Sequence, residues 1–480
     1  MVGSEALGPS DLLRHAARET PDRLALVDGD TRLTYADLDR RTTAAALALQ
    51  AAGLQPGERV GLQLPTGAPF VELYLGALRA GLVIVPVNPA YTADEVEHLV
   101  SDSGARLCLD SAAAQALLAA APDGTDPRAD RGGEELAALL YTSGTSGRTK
   151  GAMLSARALL ANLEQLAAVE PPLVTGSDVV FVPLPLTHIF GLNAGLGMAL
   201  RVGATAVLAD RFDAGETLAT MATERVTTVL AVPGQYAAWL AHPDLAAGFA
   251  AVRFAMSGSA TLARGVVEGF AAAGVPIYDG YGLTEAAPVI AINALGAGRA
   301  APTNGSVGPP LPGVEVELRD ADGDAVDDGD PGRIFVRGAN LFSGYWPDGA
   351  DGPDADGWFG TGDIACQDDA GQLCLVGRST ELVIVNGFNV YPAEVEAVLA
   401  AQHGVAEVAV VGVVDGETGE AVHAYVVPTP GTRLDAERLR EAAARSLARF
   451  KLPKVVEIVP ALPHTVTGKI MKWQLADVRS

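Results

Sequence analysis

The spacing of apolar positions changes style twice along the chain. Up to about residue 298, short β-branched runs alternate with stretches whose apolar residues recur every three or four positions. That is the βαβ signature of parallel sheets. It predicts strands at Val60–Leu64, Val83–Val87, Val179–Pro183, Ala206–Leu208, Val229–Val232, Val252–Ser257 and Ile277–Asp279. A helix is expected over Val71–Ala80, with further helical patterns between the later strands. From about Val307 to Val376, short strands (Val314–Leu318, Gly332–Arg337, Gln372–Val376) are separated by Asp/Gly turns. These predict a small antiparallel or barrel-like unit, with the acidic stretch Asp320–Asp330 as a solvated turn. From Thr380 the pattern becomes α+β: Leu382–Val385, a helix Pro392–Ala401, Val405–Val414, Ala421–Val427 and a helix Asp435–Leu447. No internal repeat is visible.

At 480 residues the chain has room for about three folding units. Hydrophobic residues make up 49%, enough to bury large cores and to exclude disorder as the main state. The 54 glycines and 30 prolines follow no G-X-Y period and so mark turns rather than collagen. A net charge of −24 excludes nonspecific binding to DNA or anionic lipid. Cys108, Cys366 and Cys374 form no CxxC pair, as expected of buried small hydrophobes in a reducing cytosol. Residues 1–20 are too charged for a signal peptide. The uncharged stretch Val179–Leu200 is broken by prolines, His188, Asn193 and three glycines, which favours a strand, a turn and a buried helix over a membrane span. A cytoplasmic protein without an integral membrane segment is expected.

The distribution of basic residues adds a hint. Only Lys150, Lys451, Lys454, Lys469 and Lys472 are lysines, against 29 arginines, so a lysine suggests a place that needs a compact point charge. Arg438–Ser480 carries net +6, leaving −30 on the preceding residues; a phosphate-rich ligand would explain such a segment.

The strongest local motif is Tyr141-Thr-Ser-Gly-Thr-Ser-Gly-Arg-Thr-Lys-Gly151, directly after the apolar run Leu136–Leu140. Small residues let backbone N–H groups approach phosphate oxygens, hydroxyls add donors and Lys150 supplies charge. Gly144 and Gly147 stand too close together for a Walker A loop. Six further segments follow: Pro185-Leu-Thr-His-Ile-Phe-Gly-Leu192, Tyr278-Asp-Gly-Tyr-Gly-Leu-Thr-Glu-Ala286, Gly357-Trp-Phe-Gly-Thr-Gly-Asp363, Gly377-Arg378, Asn386-Gly-Phe-Asn-Val-Tyr-Pro392 and Thr467-Gly-Lys-Ile470. In this order, across nearly the whole chain, they resemble the adenylate-forming superfamily of acyl-CoA synthetases, luciferases and peptide-synthetase adenylation domains.

The resemblance implies an α/β fold in which residues 1–378 form a large N-terminal domain of two doubly wound sheets. A β-barrel-like subdomain at about 307–376 and a small mobile α+β domain at 379–480 complete it. It also implies the chemistry. A carboxylate is a poor electrophile, so it attacks the α-phosphate of ATP to give an acyl-adenylate and pyrophosphate, and a thiol then displaces AMP. Positioning and electrostatic clamping suit that reaction. By resemblance Thr142, Ser143, Thr145 and Lys150 hold the β- and γ-phosphates, with Gly144, Ser146 and Gly147 completing the loop. Glu285, with Thr145, would hold Mg2+, and Thr284 would touch the α-phosphate. Tyr281 would stack on adenine and Asp279 would accept from its amine, with Gly258, Ser259, Gly280 and Gly282 lining the nucleotide. Asp363 would take the ribose hydroxyls beside Arg378, Lys469 would bridge carboxylate and phosphate oxygens, and His188 would gate the thiol tunnel. No histidine has ligand-like spacing to Cys or Glu, so no zinc is expected.

Two departures from the family pattern stand out. The hinge position two residues after Arg378 is Thr380 rather than Asp or Lys, and Asp110–Glu135 is brief, which implies a shortened lid. The Thr-His-Ile-Phe-Gly segment lacks the aspartate that binds an amino acid's amine. Gly280 stands where malonyl-CoA synthetases, which this chain also resembles, carry an arginine. The remaining expected lining (Ile189, Phe190, Leu192, Val232, Pro233, Leu283, Ala287, Val289) is apolar and favours an uncharged tail, first a medium or long fatty acid, with malonate or another short acid, or an aryl acid, as the alternative. The acceptor is expected to be CoA. A stand-alone ligase that loads a separate carrier protein is the other candidate, while the intact Lys150, Glu285, Asp363 and Lys469 argue against a non-catalytic nucleotide binder. Chain length, pathway and oligomeric state are not legible.

Overall fold

The computed structural model describes residues 8–129, 132–143, 149–260, 262–294, 305–327, 329–385, 388–415, 418–464 and 470–476. The chain divides into two compact units: Met1–Val316 with Val336–Phe359, and Glu317–Phe335 with Gly360–Ser480.

Two sheets organise the larger unit. In the first, eight strands run in the spatial order Val289–Ile292, Ile277–Gly282, Phe254–Ser257, Thr228–Ala231, Val179–Val182, Thr205–Leu208, Leu24–Asp28, Thr31–Thr34. All neighbours are parallel except the outermost pair at each edge. The interior strands are buried on both faces, which is why they read in the sequence as continuous apolar runs rather than alternations. In the second sheet the order is Leu107–Leu109, Arg59–Leu62, Val83–Pro86, Leu136–Ser143 and Thr149–Ser155, with only the last pair antiparallel.

Helices join and cover these strands. Tyr35–Ala51 starts at a capping box in which the Thr34 hydroxyl accepts from the Asp37 N–H at 3.1 Å. The core behind the first sheet is aromatic: Trp239 meets Tyr236, Phe249 and Phe212 edge-on, and its indole N–H donates to Thr217 at 2.8 Å. The stretch expected as strand, turn and buried helix forms Val179–Val182, a turn, and a buried π-helix Phe190–Gly197 that passes into Met198–Val202. π-Turns of this kind concentrate at functional sites.

The strands expected between Val307 and Val376 lie in the order Leu373–Arg378, Phe359–Gln367, Gly332–Gly338, Val314–Arg319, the first two antiparallel. In the smaller unit the long pair Val405–Asp415 and Gly419–Pro428 packs against the helix Pro392–Ala400 through Val395, Leu399, Val410 and Val426. The helix expected over Asp435–Leu447 is shorter, Ala436–Ala443, and starts where the Asp435 carboxylate accepts the Glu437 and Arg438 N–H groups. Among the described residues, no helix is long and apolar enough to cross a membrane.

Candidate active site

In parallel sheets the carboxyl ends of the strands leave backbone groups and loop side chains free to meet a ligand. Three of the sequence-selected segments lie there, on strands of the first sheet of which Phe254–Ser257 and Ile277–Gly282 are neighbours and Val179–Val182 stands one strand further, beyond Thr228–Ala231. Val179–Val182 leads into the turn that carries His188, Phe254–Ser257 into Gly258 and Ser259, and Ile277–Gly282 itself carries Asp279 to Gly282. Ser259 is exposed in the left-handed region at φ 73°, strain of the kind that clusters at binding sites. Just before it, the buried Ser257 hydroxyl has no hydrogen-bond partner among the described residues.

His188 is turned by its N–H bond to the Pro185 carbonyl, and its Nδ1 accepts the Phe190 N–H at 3.3 Å. That bond leaves the ring proton on Nε2, and burial lowers the imidazole's pKa, so the ring is neutral. Asp279 is held by both its backbone groups: Asn293 Oδ1 accepts its N–H at 2.8 Å, and its carbonyl accepts the Asn293 N–H at 3.0 Å. Burial pushes its carboxyl up to about 7. Tyr281 is buried on the same strand. At Gly282 a Cβ would stand 2.0 Å from the Pro288 carbonyl oxygen, so only glycine permits the turn back into Val289–Ile292.

That turn, Thr284–Ala286, carries Glu285, whose carboxylate is buried. Tyr345 donates its hydroxyl to Glu285 Oε1 at 2.6 Å. The Tyr345 ring also lies under Lys150, whose Nζ is 5.1 Å from its centroid. Lys150 in turn pairs with Asp351 at 2.7 Å. Lys150 faces Thr142 across the antiparallel pair that flanks the phosphate-loop motif. The fold thus brings Thr142, Lys150 and Glu285 together around Tyr345. The Ser143 side chain, Gly144, Thr145, Ser146, Gly147 and Lys469 lie outside the described residues.

Asp363 and Arg378 belong to the smaller unit and are cross-strand partners, Arg378 Nε standing 3.2 Å from Asp363 Oδ1. The net charge of the C-terminal segment needs a correction of emphasis. Lys451 pairs with Glu394 and Lys472 with Glu381 and Glu396, at 2.6 to 2.9 Å, and Lys454 pairs with Asp415. Among the described residues of the segment, Arg438, Arg440, Arg445, Arg449 and Lys454 are exposed.

Sequence reasoning missed Tyr345, Asn293, Asn340 and Met256. A Cβ on Gly280 would stand 2.2 Å from Met256 Cε. Met256 also lines an apolar cavity of about 20 Å³ with Leu173, Met198, Leu230 and Phe254, none of which was among the expected lining residues. The only signal was isolated amides and methionines within apolar runs.

A carboxylate such as Glu285 suits a hard cation. Among the described residues no group of three or more His, Cys, Asp or Glu side chains could hold a metal; Thr145, the other expected ligand, lies outside them.

Comparison with known proteins identifies the family. Residues 13–346 match the AMP-binding enzyme family, and 394–469 match the AMP-binding enzyme C-terminal domain. The chain is 36% identical over 477 residues to a feruloyl-CoA synthase of Amycolatopsis, covering 96% of each chain. It is 33% identical over 529 residues to a long-chain-fatty-acid–CoA ligase of Yersinia pestis, covering 97% of this chain and 93% of that one. ATP-bound MatB from Rhodopseudomonas palustris superposes with a TM-score of 0.91 at 33% identity, covering 98% of both chains. With its fold, its strand-end site and its two family matches, the chain belongs to the adenylate-forming acyl-CoA synthetases, AMP-binding enzymes that act as acid–thiol ligases.

Proposed function

We propose that this chain activates a monocarboxylic acid with an uncharged tail as its acyl-adenylate, using ATP and Mg2+, and then transfers the acyl group to CoA. The observation that carries the reading is the grouping of Lys150 and Glu285 about one tyrosine, beside the strand that bears Asp279 and Tyr281. In this reading Lys150 and Thr142 neutralise and orient the β- and γ-phosphates, as Ser143, Gly144, Thr145, Ser146 and Gly147 do from the loop. Thr284 donates to the α-phosphate, and Glu285, with Thr145, would hold Mg2+, whose charge would offset that of the phosphates. Tyr281 stacks on adenine between Gly258, Ser259, Gly280 and Gly282, while Asp363, steadied by Arg378, accepts from the ribose. Residues 1–378 form the adenylating body and 379–480 the unit that turns between half-reactions. His188, neutral and turned by Pro185, stands at the thiol entrance, and exposed Arg438, Arg445 and Arg449 suit the phosphates of CoA.

The acid class rests on the apolar surroundings of Gly280. A Cβ there would meet Met256 Cε and the carbonyl oxygens of Ser257 and Ala291, and Met256 lines an apolar cavity. A long alkyl chain must displace Met198 and Met256, whose unbranched side chains yield readily. A compact aryl acid needs less displacement, and the 36% identity to a feruloyl-CoA synthase favours it as the second reading. Acid-dependent pyrophosphate release and CoA-dependent AMP formation, measured with octanoate, palmitate, ferulate and malonate, test both. Turnover of malonate above all the monocarboxylates would overturn the proposal, and AMP formation that required a carrier protein instead of CoA would replace the acceptor.

Asp279 makes the nucleotide affinity depend on pH. An ionised carboxylate accepts from the adenine amine more strongly than a neutral acid, and this carboxyl ionises at about 7. The ratio of ATP affinity between the wild type and Asp279→Asn should therefore rise from pH 6 to 8 and then level off. The ligand's own titration cancels in that ratio. Without nucleotide the sign for stability is opposite. Because the folded carboxyl binds its proton more tightly than the unfolded one, wild-type stability relative to Asp279→Asn falls as pH rises from about 4 to about 7. A flat affinity ratio would remove Asp279 from the adenine site.

A further inference from the structure

The segment Asn340–Trp346 ties two parts of the larger unit together. It holds the Thr284–Ala286 turn at three points. Asn340 Nδ2 donates to the Ala286 carbonyl at 2.8 Å, the Phe342 N–H donates to the Glu285 carbonyl at 2.8 Å, and the Tyr345 hydroxyl donates to the Glu285 carboxylate at 2.6 Å. The same segment runs along Thr149–Ser155: the Ser343 N–H donates to the Met153 carbonyl, the Met153 N–H to the Gly344 carbonyl, and the Trp346 N–H to the Gly151 carbonyl. Backbone bonds thus fix Tyr345 beside Lys150, while Phe342, at 5.0 Å between centroids, packs edge-on against its ring. Asn340 itself is fully buried and accepts from Gln165.

We infer that Tyr345 is a positioning residue that presents the Glu285 carboxylate for the metal–nucleotide complex and couples it to the Lys150 strand. The inference rests on the metal role given to Glu285 above. A buried carboxylate with a free torsion samples several orientations, and a hydroxyl donating to one oxygen selects one of them and leaves the second oxygen's lone pairs directed outward. At 2.6 Å the bond lies in the short range typical of a hydroxyl donating to a carboxylate.

Tyr345→Phe isolates this effect, since it keeps the ring under Lys150 and against Phe342 and deletes only the hydroxyl. The probe is Mn2+ with α,β-methylene-ATP, and free Mn2+ is read by electron paramagnetic resonance, so no turnover is needed. Removing partners that orient a metal ligand typically weakens metal binding about 10- to 100-fold. Tyr345→Phe should weaken nucleotide-dependent Mn2+ binding about 10-fold, while metal-free nucleotide binding and the melting temperature hold close to wild type. Glu285→Gln should weaken it at least as much, and adding Tyr345→Phe to Glu285→Gln should change nothing further. A Tyr345→Phe protein that binds Mn2+ as the wild type does, beside a weakened Glu285→Gln, would overturn the positioning role and leave the proposed function standing. Wild-type binding by Glu285→Gln would instead overturn the metal role itself. An equal loss from Tyr345→Phe in both backgrounds would show that the hydroxyl acts through some other group, which also refutes the inference.

Discussion

Lys469→Ala is expected to lower acyl-adenylate formation by about 10²- to 10³-fold, the usual effect of removing one donor aimed at developing charge, while thiol transfer from a supplied acyl-adenylate stays within a few-fold of wild type. In the proposed reaction the substrate carboxylate approaches a polyphosphate, and both are anions. A compact ammonium that touches oxygens of each relieves their repulsion as they close, which an arginine's planar fork does less well at a single point. Lys469 lies outside the described residues, but its flanks are secured. His464 and Ile470 form an antiparallel bridge, the Met471 N–H donates to the Pro463 carbonyl, and Lys472 is held by Glu381 and Glu396. Thiol transfer needs no such bridge, because by then pyrophosphate has left. The two half-reactions are measured separately, as pyrophosphate release from acid and ATP and as acyl-CoA formation from synthetic acyl-adenylate. An equal fall in both would make Lys469 structural.

Gly280→Arg is expected to cut kcat/KM for monocarboxylic acids by about 100-fold or more, since leaving a charge unpaired in an apolar site costs several kcal/mol. A Cβ at this position would reach Met256 Cε, the flexible end of a side chain, so the thioether can move aside and the fold survive. The guanidinium would then border Met256, which lines an apolar cavity with Leu173, Met198, Leu230 and Phe254; the acceptors nearest the new Cβ, the Ser257 and Ala291 carbonyl oxygens at 3.6 and 3.7 Å, carry no counter-charge. A dicarboxylic acid supplies one, as a bidentate partner, so malonate turnover should rise from its wild-type level. Because specificity is a difference of affinities, the loss should be clearer than the gain. A Gly280→Arg protein that kept wild-type activity on octanoate and ferulate would show that position 280 does not border the acyl site.

The parallel strands Thr228–Ala231 and Phe254–Ser257 were legible because burial on both faces demands an uninterrupted apolar run, a property of consecutive residues. Gly282 was legible for the same reason: a tight turn depends on neighbours in sequence. The alternation of strands and helices likewise determined the fold class, since its period is set within each element. Pairings across the chain were not legible. Tyr345 reaches Glu285 over a separation of 60 residues, and Asn340 reaches Ala286 over 54. No local spacing encodes which amide or hydroxyl will close on which turn. Charge behaved the same way. The sum over Arg438–Ser480 is a sequence quantity, but Lys451, Lys454 and Lys472 are paired with carboxylates from before that segment, which only the tertiary structure decided. Met256 is the last example. Its place in the Phe254–Ser257 run follows from periodicity, yet its contact with Gly280 arises because parallel pairing sets these two strands side by side. Element type follows from consecutive residues, whereas the partner of each side chain follows from the packing of elements distant in sequence.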